Sequence, residues 1–153
     1  MKTFKALTIL LVVTFTTLTA LAQSKEVKQF TIDGQIFYGT KAIPEEILGF
    51  YQYEKKKEPI VEVKKDGLGK FQVHDVPAYP AEFWVQTDAK GKIEKTTGVN
   101  GNYMVILIIQ YGDNGQSGWK GAKKGLYDRM QAAVAYDQGY AIILGERFMP
   151  LKK

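Results

Sequence analysis

Apolar and polar residues alternate along much of the chain with the two-residue period of β-strands rather than the 3.6-residue period of helices. In the stretch 60–64, Val61 and Val63 share one face, and Glu62 and Lys64 share the other. The same alternation groups apolar residues on one face of two later stretches, Phe71 with Val73 and Phe83 with Val85. This pattern indicates antiparallel strands with one buried and one wetter side.

Turn signals separate these stretches, since Asp, Asn and Gly tolerate the positive φ angles of tight hairpins. The signals are Asp33-Gly34, Asp66-Gly67, Asp88 to Gly91, Asn100-Gly101, Asp113-Asn114-Gly115 and Asp137-Gln138-Gly139. Residues 30–32 and 36–38, around the first of them, predict an opening hairpin. Residues 103–109 are apolar on both faces and predict a covered central strand.

Two segments depart from simple alternation. Residues 126–136 fit both the strand and the helix period, but the short loop after them and the strand predicted at 140–144 favour strand–turn–strand. A helix at 126–136 would instead make the fold α+β. Residues 44–48 predict a short helical turn, because Pro44 suits the first helical position and Glu45 and Glu46 suit the helix dipole.

The first 22 residues have the form of a secretory signal peptide. Lys2 and Lys5 precede the apolar stretch 6–15, and Ala20 and Ala22 provide the small residues before a cleavage site. Cleavage predicts an exported protein, soluble in a periplasm or outside the cell and not membrane-spanning. The chain has no cysteine, which excludes a lipobox anchor and disulfides.

Removing 22 of the 153 residues leaves 131, enough for one core but not for two stable domains. Removing the two signal lysines from 21 basic residues leaves 19 against 16 acidic ones, a net charge of +3. That modest charge, together with export, argues against nucleic-acid binding. We expect an all-β fold, an antiparallel up-and-down β-barrel of about eight strands, with a two-layer β-sandwich as the alternative.

A short helical turn running into Gly49-Phe50-Tyr51, a succession of hairpins, and a last strand ending in Gly145-Glu146-Arg147 resemble the lipocalin-like (calycin) proteins. The closest likeness is to the small secreted lipocalin-like domains of Bacteroidota-type bacteria. The resemblance covers about residues 43–151, implies a barrel domain at 43–153, and leaves 23–42 as an extension or an added hairpin. It implies that Tyr51 stands where the family's tryptophan closes the barrel base, with Gly49 before it and Arg147 packing across its ring.

The sequence contains few residues of the types that catalyse reactions or bind metals, and we expect no catalytic residues, metal site or cofactor. His74 beside Asp75 is the one candidate acid–base pair, but the nucleophiles of the mature chain are only Ser24 and Ser117. The glycine- and lysine-rich stretch 112–125, with Trp119 in its middle, is the first candidate for a lid or a contact site.

The expected function is non-catalytic binding of a small apolar or amphipathic molecule inside the barrel. Candidate ligand-lining residues are Tyr51, Tyr53, Phe71, Phe83, Trp119, Tyr136 and Tyr140. A filled barrel without ligand remains equally open. The alternative function is an envelope interaction module that binds a protein or glycan through surface aromatics such as Trp84 and Trp119. A hydrolase using His74 is the third possibility.

Overall fold

The computed structural model describes residues 26–98, 100–115, 124–135 and 138–150. The predicted signal peptide lies outside these ranges. The described residues form eleven strands and one turn of 3-10 helix, Glu45–Ile47. The strands are β1 (Val27–Ile32), β2 (Gln35–Thr40), β3 (Gly49–Tyr53), β4 (Ile60–Val63), β5 (Leu68–Phe71), β6 (Tyr79–Thr87), β7 (Lys95–Thr97), β8 (Tyr103–Tyr111), β9 (Tyr127–Ala135), β10 (Tyr140–Ile143) and β11 (Glu146–Pro150).

Eight antiparallel strands close into an up-and-down β-barrel. Strands β3 to β6 pair in sequence, β6 bypasses β7 to pair with β8, and β8 to β11 again pair in sequence. The barrel closes where Tyr51 of β3 lies opposite Pro150 of β11. Closure removes the unpaired edges that a two-layer sandwich would leave. The structure therefore confirms the predicted all-β barrel, and the sandwich and α+β alternatives are wrong.

The ambiguous segment 126–136 is a strand over its described part. β9 pairs with β8 along eight residues, from Tyr127 opposite Gln110 to Val134 opposite Tyr103. Met130, Ala132 and Val134 point into the barrel. Pairing on both sides of the strand therefore decides a segment whose periodicity alone left the choice open.

Three strands lie outside the barrel. The hairpin β1–β2 joins the sheet where Thr40 pairs with Val85, beyond the part of β6 that pairs with β5. β7 pairs with the first residues of β8, which leaves the rest of β8 free to close the barrel against β6. The hairpin folds back over the outside of the barrel, so that the molecule has a second, smaller core beneath it.

The 3-10 turn closes one end of the barrel, here called the helix end. Ile47 is buried against interior residues of β3, β4 and β8. Pro44 precedes the turn rather than occupying its first position. In the described ranges, no helix has the length and apolar character to cross a bilayer. The opposite end, here called the loop end, carries the connections 54–59 and 72–78 and the described residues 112–115 and 124–126.

Candidate functional site

The barrel interior is packed with side chains. The inward residues Val61, Phe83 and Ile109, from three different strands, have 0% of their surface exposed, so other side chains enclose them. At the loop end, the core residues Phe71 and Phe148 line a pocket of about 200 Å³. Deeper in the barrel, the void lined by described residues has a volume of about 10 Å³. A space of this size holds about one water molecule at most, whereas small-molecule sites have roughly 300 to 1,000 Å³. The packing favours the filled barrel over an interior ligand.

The candidate ligand-lining residues do not form one site. Tyr51, Phe71 and Phe83 are buried in the interior core. Tyr53 lies half-buried beside His74 at the loop end, with the two rings 5.0 Å apart. Tyr140 lies on the outer side of β10, where its hydroxyl donates a hydrogen bond to the side chain of Gln138. Trp119 and Tyr136 lie outside the described residues.

The expected packing of Arg147 across Tyr51 is wrong. The guanidinium of Arg147 lies 4.3 Å from the centre of the Tyr140 ring and donates to Glu54 at 3.3 Å. The reason is the alternation of β11: its neighbour Phe148 points into the core, so Arg147 points outward, while Tyr51 is buried inside. Gly49 begins β3 as expected from the resemblance.

Trp84 is not a surface aromatic. It points outward from β6 as the alternation predicts, but it is only 4% exposed because the hairpin β1–β2 covers it. Phe30 of β1 meets its ring edge-on at 5.1 Å. Binding of a protein or glycan through an exposed Trp84 is therefore ruled out in this structure.

His74 pairs with Glu146 rather than with its neighbour Asp75. The His74 Nε2 lies 2.9 Å from Glu146 Oε2, and both side chains are about two-fifths exposed. Asp75 adopts a left-handed backbone conformation in an exposed turn. A pocket of about 200 Å³ at the loop end includes this pair beside the apolar residues Phe71 and Phe148. Ser24 and Ser117 lie outside the described residues, so no described serine can complete a hydrolytic site.

A second opening lined by described residues is an external groove of about 480 Å³, which crosses the outer face of β5, β6 and β8. Leu68 and Pro80 are outward-facing and exposed, and they give the groove an apolar floor. Glu82 and Gln110 lie beside them, directly opposite each other on β6 and β8. The volume falls within the range of small-molecule sites.

Both ends of the glycine-rich segment 112–125 are fixed at this groove. The Gly112 amide donates to the carbonyl of Pro80 at 2.7 Å, and the Gly125 amide donates to that of Tyr111 at 2.8 Å. A Cβ on Gly112 would lie 2.8 Å from the same Pro80 oxygen, so the close approach requires glycine. The first contact candidate named by the sequence thus begins and ends at the groove, while residues 116–123 lie outside the described residues.

The groove carries an excess of positive charge at its rim. Glu82 is paired with Lys41 at 2.9 Å, and Lys64 lies 3.6 Å from Glu62. Lys124 also lines the groove, and it makes no ion pair within the described part of the chain. A ligand in the groove therefore meets one cation whose charge is uncompensated.

Tyrosine hydroxyls are the strongly perturbed titrating groups of the barrel. Burial raises the pKa of Tyr51 to about 12. Burial, and then the nearby carboxylate of Glu46, raises the pKa of Tyr103 at the helix end. Burial also raises the pKa of Tyr111, whose hydroxyl donates to Asp128 at 3.1 Å. These groups stay protonated at neutral pH and cannot act there as bases.

The strand residues of the groove were missed by sequence reasoning because they come from separate strands and belong to no motif, whereas its loop residues Gly112, Lys124 and Gly125 belong to the stretch 112–125 that the sequence singled out. Among the strand residues, Leu68 and Pro80 offered the only signal, as apolar residues at outward positions of their strands. In the described residues, no group of three His, Cys, Asp or Glu side chains is placed to hold a metal ion. Comparison with known proteins gives no match among family models, curated proteins or solved structures, so the chain is placed by its barrel architecture alone.

Proposed function

We propose that this chain is an exported, non-catalytic binding protein that holds a small amphipathic anion in the external groove. The observation that carries the proposal is the contrast among the spaces that described residues line: about 480 Å³ in the groove, against about 200 Å³ at the loop end and about 10 Å³ deeper in the barrel. The ligand is still of the class expected from the sequence, a small apolar or amphipathic molecule. Its binding site is the groove on the outer wall instead of the barrel interior. The packed barrel then serves as a rigid support for the groove.

The chemistry of the groove supports an occupant with an apolar body and an anionic head. Leu68, which is 45% exposed, and Pro80 offer apolar surface that a hydrocarbon body would cover. Lys124 at the rim offers a charge that a carboxylate or sulfate head would pair with. Lys41 already neutralises Glu82, so this acid does not repel an anion strongly.

Dodecanoate is a suitable probe, with dodecylammonium as its cationic counterpart. We expect saturable binding of dodecanoate by calorimetry below its micelle concentration. Amide shifts in ¹H–¹⁵N spectra should change at Leu68, Gln110 and Gly112 and not at Phe83. The cationic counterpart should bind more weakly, because Lys124 repels its head.

Two variants test the charged rim and the apolar floor of the groove separately. Lys124→Ala should weaken dodecanoate binding about fivefold, the effect of losing one exposed charge pair. Leu68→Glu should weaken it further by placing a like charge on the apolar floor. Lys90→Ala, an exposed lysine in the turn after β6, is the matched control and should bind as the wild type does.

Other outcomes contradict the proposal. Shifts concentrated at Val61, Phe83 and Leu107 would mean that the ligand enters the interior. Equal binding of both amphiphiles would mean that the groove does not select charge. No response to either would favour the alternative function, contact with an envelope protein or glycan.

A further inference from the structure

Three aromatic rings from three strands form a box on the outside of the barrel. Phe30 comes from β1, Trp84 from β6 and Tyr127 from β9. Each pair of rings has its centres 5.1 to 6.1 Å apart and its planes 62 to 70° apart. The three rings therefore pack edge-to-face against one another and form a single aromatic surface. We call this group the aromatic box.

The ammonium of Lys28 lies over this aromatic surface and is close to all three rings. Its Nζ lies 5.1 Å from the ring centre of Phe30, 4.7 Å from that of Trp84 and 5.2 Å from that of Tyr127. It also donates a hydrogen bond to the Tyr127 hydroxyl at 3.0 Å. One cation thus lies within about 6 Å of three ring centres, the range in which a ring quadrupole attracts positive charge.

No ion pair within the described residues compensates this charge. Lys41, which follows β2 at the same open end of the hairpin, lies 5.2 Å from the ring centre of Trp84 and pairs with Glu82, whereas Lys28 pairs with no carboxylate there. The rings and one hydroxyl therefore compensate the ammonium. Attraction that comes from ring faces does not depend on N–H donors, so it extends to cations that have none, such as a quaternary ammonium.

We propose that the aromatic box is a binding site for quaternary ammonium groups that Lys28 occupies within the same chain. Lys28 is exposed and lies two residues before Phe30 on β1, so its side chain reaches the box from the solvent side. An external ligand binds by displacing this side chain. The lysine accordingly competes with the ligand and lowers its apparent affinity.

The test uses Trp84 as the reporter. In a Trp119→Phe background Trp84 is the only tryptophan, and tetramethylammonium chloride is titrated at constant chloride concentration. Lys28→Ala empties the box and should show saturable quenching. The protein that keeps Lys28 should bind at least about tenfold more weakly, because the ligand must first displace a cation that the rings already hold.

Three controls distinguish binding that depends on the charge of the ligand from binding of any molecule of suitable size. tert-Butanol, a neutral molecule of similar shape, should give no saturable change. Lys28→Gln, which keeps most of the stem without the charge, should leave the box obstructed and bind more weakly than Lys28→Ala. Tyr127→Leu in the Lys28→Ala background removes one wall while keeping apolar bulk and should abolish the response.

The remaining outcomes overturn the proposal. Equal responses to tetramethylammonium and tert-butanol would mean a plain apolar cavity. No response in Lys28→Ala, with its Trp84 emission unchanged, would mean that the box does not bind cations. If Trp84 emits as a solvent-exposed indole in Lys28→Ala, then the Lys28 side chain holds the three rings in place and no site exists without it.

Discussion

Gly69 is a residue at which the barrel wall has no room for a side chain. A Cβ there would lie 1.8 Å from the backbone oxygen of Glu62, where β4 and β5 run side by side. We expect Gly69→Ala to destabilise the protein by about 4 kcal/mol or to prevent folding, because backbone rather than a movable side chain must shift.

Gly101→Ala is the matched control for this prediction. Gly101 has φ of 76° but nothing within 4 Å of its Cβ position, so the variant carries backbone strain alone, about 1 to 2 kcal/mol. Urea unfolding followed by circular dichroism measures both variants. Equal losses in the two would show that close approach at Gly69 is not the constraint.

Ionisation of the Tyr51 hydroxyl makes the free energy of unfolding depend on pH in the alkaline range. Its pKa in the folded protein is about 12 against an ordinary value of 10.0. The contribution of the protonated hydroxyl to stability is therefore fully present below pH 10. Between pH 10 and pH 12 the unfolded state loses its proton first, and the free energy of unfolding falls. The loss from this group alone approaches about 2 to 3 kcal/mol.

Tyr51→Phe tests this dependence. The variant lacks the ionising hydroxyl, so its stability should fall less steeply than that of the wild type above pH 10 and should run parallel below it. Unfolding curves at a series of pH values provide the measurement. Parallel curves up to pH 12 would contradict the assignment of the pH dependence to Tyr51.

At the scale of elements, the hairpin β1–β2 is held by its buried apolar face. Phe30 is 3% exposed and contacts both Trp84 and Tyr127. Phe30→Ala should lower stability by about 3 kcal/mol and shift the emission of Trp84 to longer wavelength, read in the Trp119→Phe background. Ile36→Ala on the same hairpin, where the side chain is 57% exposed, should change stability by less than about 0.5 kcal/mol.

The strands could largely be predicted from the sequence, because alternation and Asp-Gly turns are local signals. The segment 126–136 could not be settled locally, since pairing with β8 decides it. The partners of His74 and Arg147 were missed for a related reason. Glu146 lies 72 residues from His74 along the chain, and register across strands brings them together.

The external groove and the aromatic box were beyond sequence reasoning. Phe30, Trp84 and Tyr127 come from strands far apart in the chain, and Trp84 is covered only because the hairpin folds back. The position of an outward side chain could be predicted from alternation. The cover over Trp84 could not be predicted, because the hairpin β1–β2 provides it and the local sequence pattern does not show where this hairpin packs.

At the scale of the whole molecule, the packed interior predicts that apolar guests are excluded. Phe83→Ala should lower stability by about 3 to 5 kcal/mol and open a dry cavity that binds xenon or benzene, which the wild type should not bind. Phe50→Ala, on the outer side of β3, is the control and should bind neither. Benzene binding by the wild type would contradict the filled barrel.

The seam between β3 and β11 has a consequence for the order of folding. It joins the first and last strands of the barrel, so its contacts span almost the whole of residues 49–150 and close the longest loop in the molecule. A nascent chain that lacks β11 can form hairpins, and β3 then pairs with β4 on one side only. Ring closure must therefore follow the synthesis of β11, and until then the sheet stays open with an unpaired edge on β3.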